Sequence, residues 1–368
     1  FPITVTDADG STANGTFQVA VRDDVPTGFS NVAVAGPATS VSVDEDDLAA
    51  GTDGDKEPLS ATGDLGFGDA NVITIDYGAD GPAAGAPAGL GFSDLDFTIA
   101  GPEGLTSQGL PISYSQDGNV LTASTDNGPV FTVTVNPDGS YTFALTGTLD
   151  HASGDGQNAL DLAFTLTGTP NAAAIAAAMD ADGDPVPGLA NAQVTQGFSV
   201  SVVDDVPVAA VDANALEQAE SVSVDEDDLG GAAVATGDLG FGDANVITID
   251  YGADGPGANA PAGLGFSDLD VTISGPEGLT SQGQAISYSQ NGNVLTATSA
   301  DGRDVFTVTL NNDGSYTFTL KDTLDHAAGN GEAPLNLSFT LTGTPNAAAL
   351  AAAVDGDGDP VSGLANAQ

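Results

Sequence analysis

The stretch VFTVTVNPDGSYTFAL at positions 130–145 decides the fold class of this chain. Apolar and polar side chains alternate on both sides of Asn136-Pro137-Asp138-Gly139. Val, Thr, Tyr and Phe fill the runs, and these residue types pack well on a pleated surface. Asp138 and Gly139 tolerate positive φ, so the four residues between the runs predict a hairpin turn. Outward from there, the same alternation marks Ile73-Thr-Ile75-Asp-Tyr77, Phe97-Thr-Ile99, Ile112-Ser-Tyr114, Val120-Leu-Thr122 and the run 160–166. Many short strands punctuated by Asp-Gly and Asn-Gly predict an all-β chain of β-sandwich architecture. One stretch breaks the pattern. Asn171 followed by an Ala-rich run to Met179 predicts one short helix with an Asn cap, and Asn346 opens its counterpart.

The strands recur. Ser-Val-Ser-Val-Asp-Glu-Asp-Asp-Leu ends at Leu48 and again at Leu229. Leu149-Asp150-His151 returns as Leu324-Asp325-His326, and Tyr77, Tyr114 and Tyr141 return as Tyr251, Tyr288 and Tyr316. Such self-similarity is the signature of a tandem array. A short extra loop near 51–59 belongs to the first copy alone. Asp23-Asp24-Val25-Pro26 matches Asp204-Asp205-Val206-Pro207, and each follows an apolar alternation (Phe17, Val19, Val21; Phe198, Val200, Val202). The expected organisation is therefore the last two strands of a preceding repeat at 1–26, a first module at 27–207, and a second at 208–368 without its last strand. Phe1, Ile3 and Val5 open inside an alternation, as in a segment of a longer polypeptide. The strand missing from the second module would come from the next repeat, or from the leading segment of a second copy packed head to tail.

Charge narrows the function. The chain carries 52 acidic residues against four Lys and Arg, a formal charge of −48. Such a surface repels nucleic acid and anionic lipid and attracts cations. With so few basic side chains, the carboxylates stay in water or take metal ions. Apolar residues make up 40% of the chain, enough for a packed core. There is no Cys, which removes disulfides and thiolate metal sites, and no apolar run long enough to span a membrane.

Calcium takes six to eight hard oxygens, and closely spaced Asp on a turn supplies several. Asp180, Asp182 and Asp184 alternate with small residues and return as Asp355, Asp357 and Asp359. Asp7 and Asp9 form a shorter version. Glycine at the fourth place and the absence of a closing Glu separate these loops from an EF-hand. A second group is the run Asp44, Glu45, Asp46, Asp47, with Asp225, Glu226, Asp227 and Asp228 as its counterpart. Together with Asp23, Asp24, Asp204 and Asp205 it lies near the expected junctions, where a cation would bridge neighbours. The ordinary alternatives are Asp-Gly turns and a solvated acidic face. No nucleophile, phosphate-loop or metalloprotease motif occurs. His151 and His326, one per repeat, read as loop or packing residues, so no enzyme activity is expected.

The ordered string Leu149-Asp150-His151, Gly-Asp-Gly at 154–156, Asp180-Ala-Asp182-Gly-Asp184 and Asp204-Asp205-Val206-Pro207 resembles the long repeats of giant type I-secreted repeats-in-toxin (RTX) adhesins. The resemblance implies calcium-binding Ig-like or cadherin-like β-sandwich repeats, exported from a Gram-negative bacterium and folding outside the cell. It also implies an extender role in cell adhesion and biofilm formation. The Ala-rich helix before Asp180 departs from the leading fragment, and the glycine-rich nonapeptide calcium repeats of such proteins do not occur here. The expectation is a secreted, calcium-stabilised structural module at the cell surface. Its rivals are a carbohydrate-binding surface module that grips polysaccharide and a halophilic protein whose acids serve solubility.

Overall fold

In the computed structural model, the runs at 130–135 and 141–145 lie in Gly128–Val135 and Ser140–Leu145, which pair antiparallel with Val135 opposite Tyr141. Gly139 sits in the connecting turn at φ 83°, a conformation that costs a residue without Cβ little. The residues described are 1–31, 36–68, 71–154, 156–211, 219–231, 233–241, 245–327 and 334–368.

In the first repeat these two strands belong to a five-stranded antiparallel sheet, ordered Ser113–Asp117, Val120–Thr125, Gly128–Val135, Ser140–Leu145, Ser60–Asp64. A four-stranded sheet runs Val41–Asp44, Val194–Val203, Ala159–Pro170, Leu95–Ala100. All its pairs are antiparallel except that of Val194–Val203 with Val41–Asp44. The alternation in each strand turns one set of side chains inward. Phe131 and Phe143 of the first sheet meet Phe164 of the second, at ring-centroid distances of 6.0 and 6.4 Å, and Phe164 stacks on Phe198 at 5.1 Å. Each such ring, once buried, contributes about 1.5–3 kcal/mol relative to exposure. The recurring tyrosines are core residues with a polar tip satisfied by backbone. The Tyr141 hydroxyl donates to the carbonyl of Thr39 at 2.6 Å, and the Tyr77 hydroxyl to that of Pro87 at 2.8 Å.

The second repeat has a six-stranded sheet, ordered Val234–Asp238, Ser315–Leu320, Asp304–Leu310, Val294–Ser299, Gln284–Asn291, Thr280–Ser281. Of the second sheet, its described residues form the pair Leu269–Ser274 and Thr340–Pro345, the counterparts of Leu95–Ala100 and the end of Ala159–Pro170. Both short helices form where expected, at Ala172–Ala177 and Ala347–Ala352. Asn171 and Asn346 cap them by accepting from the amides of Ala174 and Ala349 at 2.8 and 2.9 Å.

The leading segment forms two strands, but the second stops short of the apolar alternation that precedes Asp23. Its hairpin joins Pro2–Thr6 to Thr12–Thr16, and the alternation Phe17, Val19, Val21 runs on beyond it, exposed and outside any strand. Alternation equips a segment to pair but does not supply the sheet edge it would pair with. Among the described residues no helix is long and apolar enough to cross a membrane.

Candidate metal centre between the repeats

The acidic run 44–47 does not form one solvated face. Asp44 ends its strand and caps the 3-10 turn Glu45–Asp47, accepting from the Asp46 amide at 3.2 Å. Glu45, the first residue of that turn, points inward and is wholly buried. Its Oε1 accepts from the Leu149 amide at 2.8 Å and lies 3.6 Å from His151 Nε2, while Oε2 has no hydrogen-bond partner among the described residues. Burial pushes the Glu45 carboxyl up, against the opposing pull of His151 and the Leu149 amide. Asp46 groups instead with Asp47 and Asp53, beside Lys56, whose ammonium donates to the carbonyls of Asp46 and Gly51. Burial and the neighbouring Asp44 push Asp46 up to about 6.

The strand Val194–Val203 delivers Asp204 to the same place. Its amide is tied to the Asn158 carbonyl at 2.8 Å, its side chain is fully buried, and neither carboxylate oxygen has a hydrogen-bond partner among the described residues. Burial, reinforced by Asp357 and Glu45 and opposed by His151, raises it to about 8. The next residue, Asp205, fastens the connection. It accepts from the amide of Thr52 in the extra loop, at 3.1 Å, and from the amide of Ala253 in the second repeat, at 2.7 Å.

The second repeat closes the site. Its loop 355–359 opens with Asp355, which turns back to accept from the amides of Gly358 and Asp359 at 3.0 and 2.7 Å. That fold projects Asp357 and Asp359 toward the first repeat. The His151 amide donates to Asp357 Oδ2 at 3.1 Å, and the Gly154 amide donates to Asp359 Oδ1. Asp357 Oδ1, Asp359 Oδ2 and Asp254 Oδ2 are buried without hydrogen-bond partners among the described residues. Asp254 is raised to about 8, by burial first and then by Glu45, Asp357 and Asp204.

Two sets of ligand atoms result, each with all members within 4.8 Å of one another. One is Glu45, His151 and Asp204; the other is Asp204, Asp254 and Asp357. Asp204 belongs to both. Carboxylates that outnumber the one base among them, His151, are expensive to bury unless a cation or protons neutralise them. The donors fit a divalent ion, since orphaned carboxylate oxygens converge from both repeats.

The same geometry recurs at the start of the chain. Asp23, Asp80 and Asp182 lie within 4.8 Å of one another, as the counterparts of Asp204, Asp254 and Asp357, but all three are exposed. Asp180, Asp182 and Asp184 also converge there, and Asp24 accepts from the Ala79 amide as Asp205 does from Ala253. Asp182 is raised to about 6, chiefly by its hydrogen bond with Asp180. In the second repeat Asp225 caps its turn through the Asp227 amide at 2.9 Å. Glu226 accepts from Leu324 at 2.7 Å and lies 3.3 Å from His326 Nε2, both partly exposed.

Most of the acids expected from sequence thus fall at junctions. Asp7 and Asp9 do not. They accept from the Ser11 amide at 3.0 and 3.1 Å in an exposed turn and join no three-acid set among the described residues. Sequence reading missed His151, Asp80 and Asp254. The signal was present in Tyr-Gly-Ala-Asp-Gly, which ends at Gly81 and again at Gly255, and in the recurrence of Leu-Asp-His.

No curated protein matches the chain. The family model described as "Domain of unknown function (DUF5801)" matches it twice, at residues 40–194 and 221–367. Those two matches take in Glu45, His151, Asp254 and Asp357 but leave Asp204 and Asp205 between them. With both repeats matched over most of its length, the chain belongs to the DUF5801 family.

Proposed function

We propose that this chain is a run of Ig-like β-sandwich modules joined rigidly by calcium. It would serve as an extender in a secreted adhesin or filament on the surface of a Gram-negative bacterium, with a structural rather than a catalytic role. The observation that carries the reading is the set Asp204, Asp254 and Asp357, which draws oxygens from both repeats and the connection between them. An ion bound there holds neighbours in fixed register. The charge of −48 supports the same reading, because few basic groups compete for the carboxylates. The surface and export assignments rest on the resemblance to repeats-in-toxin adhesins.

The energetics suit an extracellular module. Sites of that kind have dissociation constants of about 10⁻⁴–10⁻³ M, so roughly millimolar calcium adds about 0.4–1.4 kcal/mol per site if only the folded state binds. At the far lower calcium inside a cell, the gathered carboxylates oppose folding instead. Thermal melting in calcium and in chelator, at matched ionic strength, tests the reading. The midpoint is expected to rise with calcium; coincident midpoints would reject calcium as the stabilising ion.

A further inference from the structure

The buried set Glu45, His151 and Asp204 differs in chemistry from the all-oxygen set beside it. All three side chains are more than nine-tenths buried, with Glu45 Oε2, His151 Nε2 and both Asp204 oxygens lacking hydrogen-bond partners among the described residues. The separation of 3.6 Å between His151 Nε2 and Glu45 Oε1 exceeds a hydrogen bond. It matches the spacing of two ligands held about 2.0–2.2 Å from a shared tetrahedral metal, which stand roughly 3.4 Å apart.

The far side of the imidazole supplies the independent argument. His151 Nδ1 lies 3.2 Å from Asn158 Oδ1. The Asn158 amide nitrogen is engaged by the Ala152 carbonyl at 3.1 Å, which leaves Oδ1 facing the ring as an acceptor. Nδ1 therefore carries the proton, and in the neutral ring the Nε2 lone pair points at Glu45 and Asp204. Metal-binding histidines are oriented in this way by a polar group on the other ring nitrogen. A simple Glu–His ion pair needs a proton on Nε2, and its single imidazolium charge would face two buried carboxylates, Glu45 and Asp204.

We infer that the junction holds two different cations bridged by Asp204. Calcium lies on the Asp254–Asp357 side, and a first-row metal of the zinc class lies on Glu45, His151 and Asp204. Calcium prefers oxygen ligands, whereas an imidazole nitrogen with two carboxylates suits zinc. Two carboxylates and one neutral imidazole also balance the charge of a divalent ion. The second repeat does not reproduce the set in full, since Ala333 stands where the first has Asn158. The inference shares with the proposed function the premise that Asp204 binds a cation.

The test uses the whole chain and zinc alone as probe. After dialysis against zinc with calcium in large excess, elemental analysis is expected to show about one retained zinc per chain, as one such set predicts. Zinc K-edge absorption should show the multiple-scattering pattern of a single imidazole. His151→Asn should lose the zinc while keeping the calcium-dependent rise in melting temperature. Asn158→Ala should weaken zinc by about 10–100-fold. Zinc displaced by calcium, an oxygen-only absorption shell, or zinc retained by His151→Asn would each overturn the inference. Should the variant fail to fold, the absorption spectrum of the unaltered chain decides. If calcium leaves the melting unchanged but zinc stays on His151, the calcium half of the inference falls with the proposed function and the zinc assignment stands.

Discussion

Asp182 and Asp357 occupy the same place in their repeats, the middle of an Asp-x-Asp-Gly-Asp loop, yet their surroundings set them apart. Asp182 is exposed beside Asp23 and Asp80, whereas Asp357 is half-buried, accepts from the His151 amide and shares a set with buried Asp204 and half-buried Asp254. Burial lowers the local dielectric and strengthens attraction to a bound ion. Asp357→Asn is therefore expected to weaken the tightest calcium site about tenfold or more by calorimetry. Asp182→Asn should touch only a weaker one. Equal effects would mean that burial does not order the sites. The pKa shifts add a pH dependence with a definite sign. Folding raises Asp204 and Asp254 from 3.8 to about 8, and His151 from 6.5 to about 9, the last through Glu45 and Asp204 against the effect of burial. Groups raised by folding stabilise fully below their unfolded values, and that stabilisation is lost as pH rises through the folded ones. In chelator, melting temperature should fall between pH 5 and 9. Calcium should remove most of that fall, because bound ions replace the protons. A chelated protein equally stable at both ends would contradict the buried cluster.

At the scale of elements, a strand is defined by its neighbour as much as by its own residues. Phe164 and Phe339 are counterparts in sequence. Phe164 lies in the twelve-residue strand Ala159–Pro170, flanked by Val194–Val203, and is 2% exposed. Phe339 lies just outside the six-residue strand Thr340–Pro345 and is only partly buried. Phe164→Ala should cost about 3–5 kcal/mol in urea denaturation of the first repeat, and Phe339→Ala clearly less in the second. The same logic explains what was legible beforehand. Period-two runs at 130–135 and 141–145, with their Asn-Pro-Asp-Gly turn, announced paired strands, and Asn171 announced its helix. The run at 17–21 has an equally good alternation and forms no strand, because pattern reports what a segment can bury and not what lies beside it. Glu45 was visible only as one acid in four. The 3-10 turn that Asp44 caps aims it inward, but the same turn leaves Glu226 partly exposed, so its burial also depends on the partners that make it a ligand, Leu149, His151 and Asp204, far away in sequence. A site assembled from four loops and a connection has no local spacing to read.

At the scale of the molecule, Ala253 of the second repeat packs against the core of the first, and polar contacts gather beside it at the junction. They include Thr52 and Ala253 on Asp205, His151 on Asp357, and Gly154 on Asp359. Each ends on a carboxylate, and each carboxylate belongs to or adjoins the buried set. Each repeat meanwhile has apolar cores of its own, around Phe131 and Phe164 in the first and around Phe306 and Leu264 in the second. Removing the ions should therefore loosen the connection before it melts either repeat, because repulsion among Asp204, Asp254 and Asp357 acts between the repeats while apolar burial acts mainly within them. Small-angle scattering reads the two effects separately from circular dichroism. In calcium the chain is expected to scatter as one rigid body with a sharp maximum dimension. In chelator the distance distribution should broaden while the β-sheet spectrum stays unchanged. Asp204→Asn combined with Asp254→Asn removes both the ion's ligands and the repulsion, so the profile of that variant should no longer differ between calcium and chelator. A profile that is the same with and without calcium would mean that the junction is held by its hydrogen bonds alone, and the extender role would then lose its physical basis.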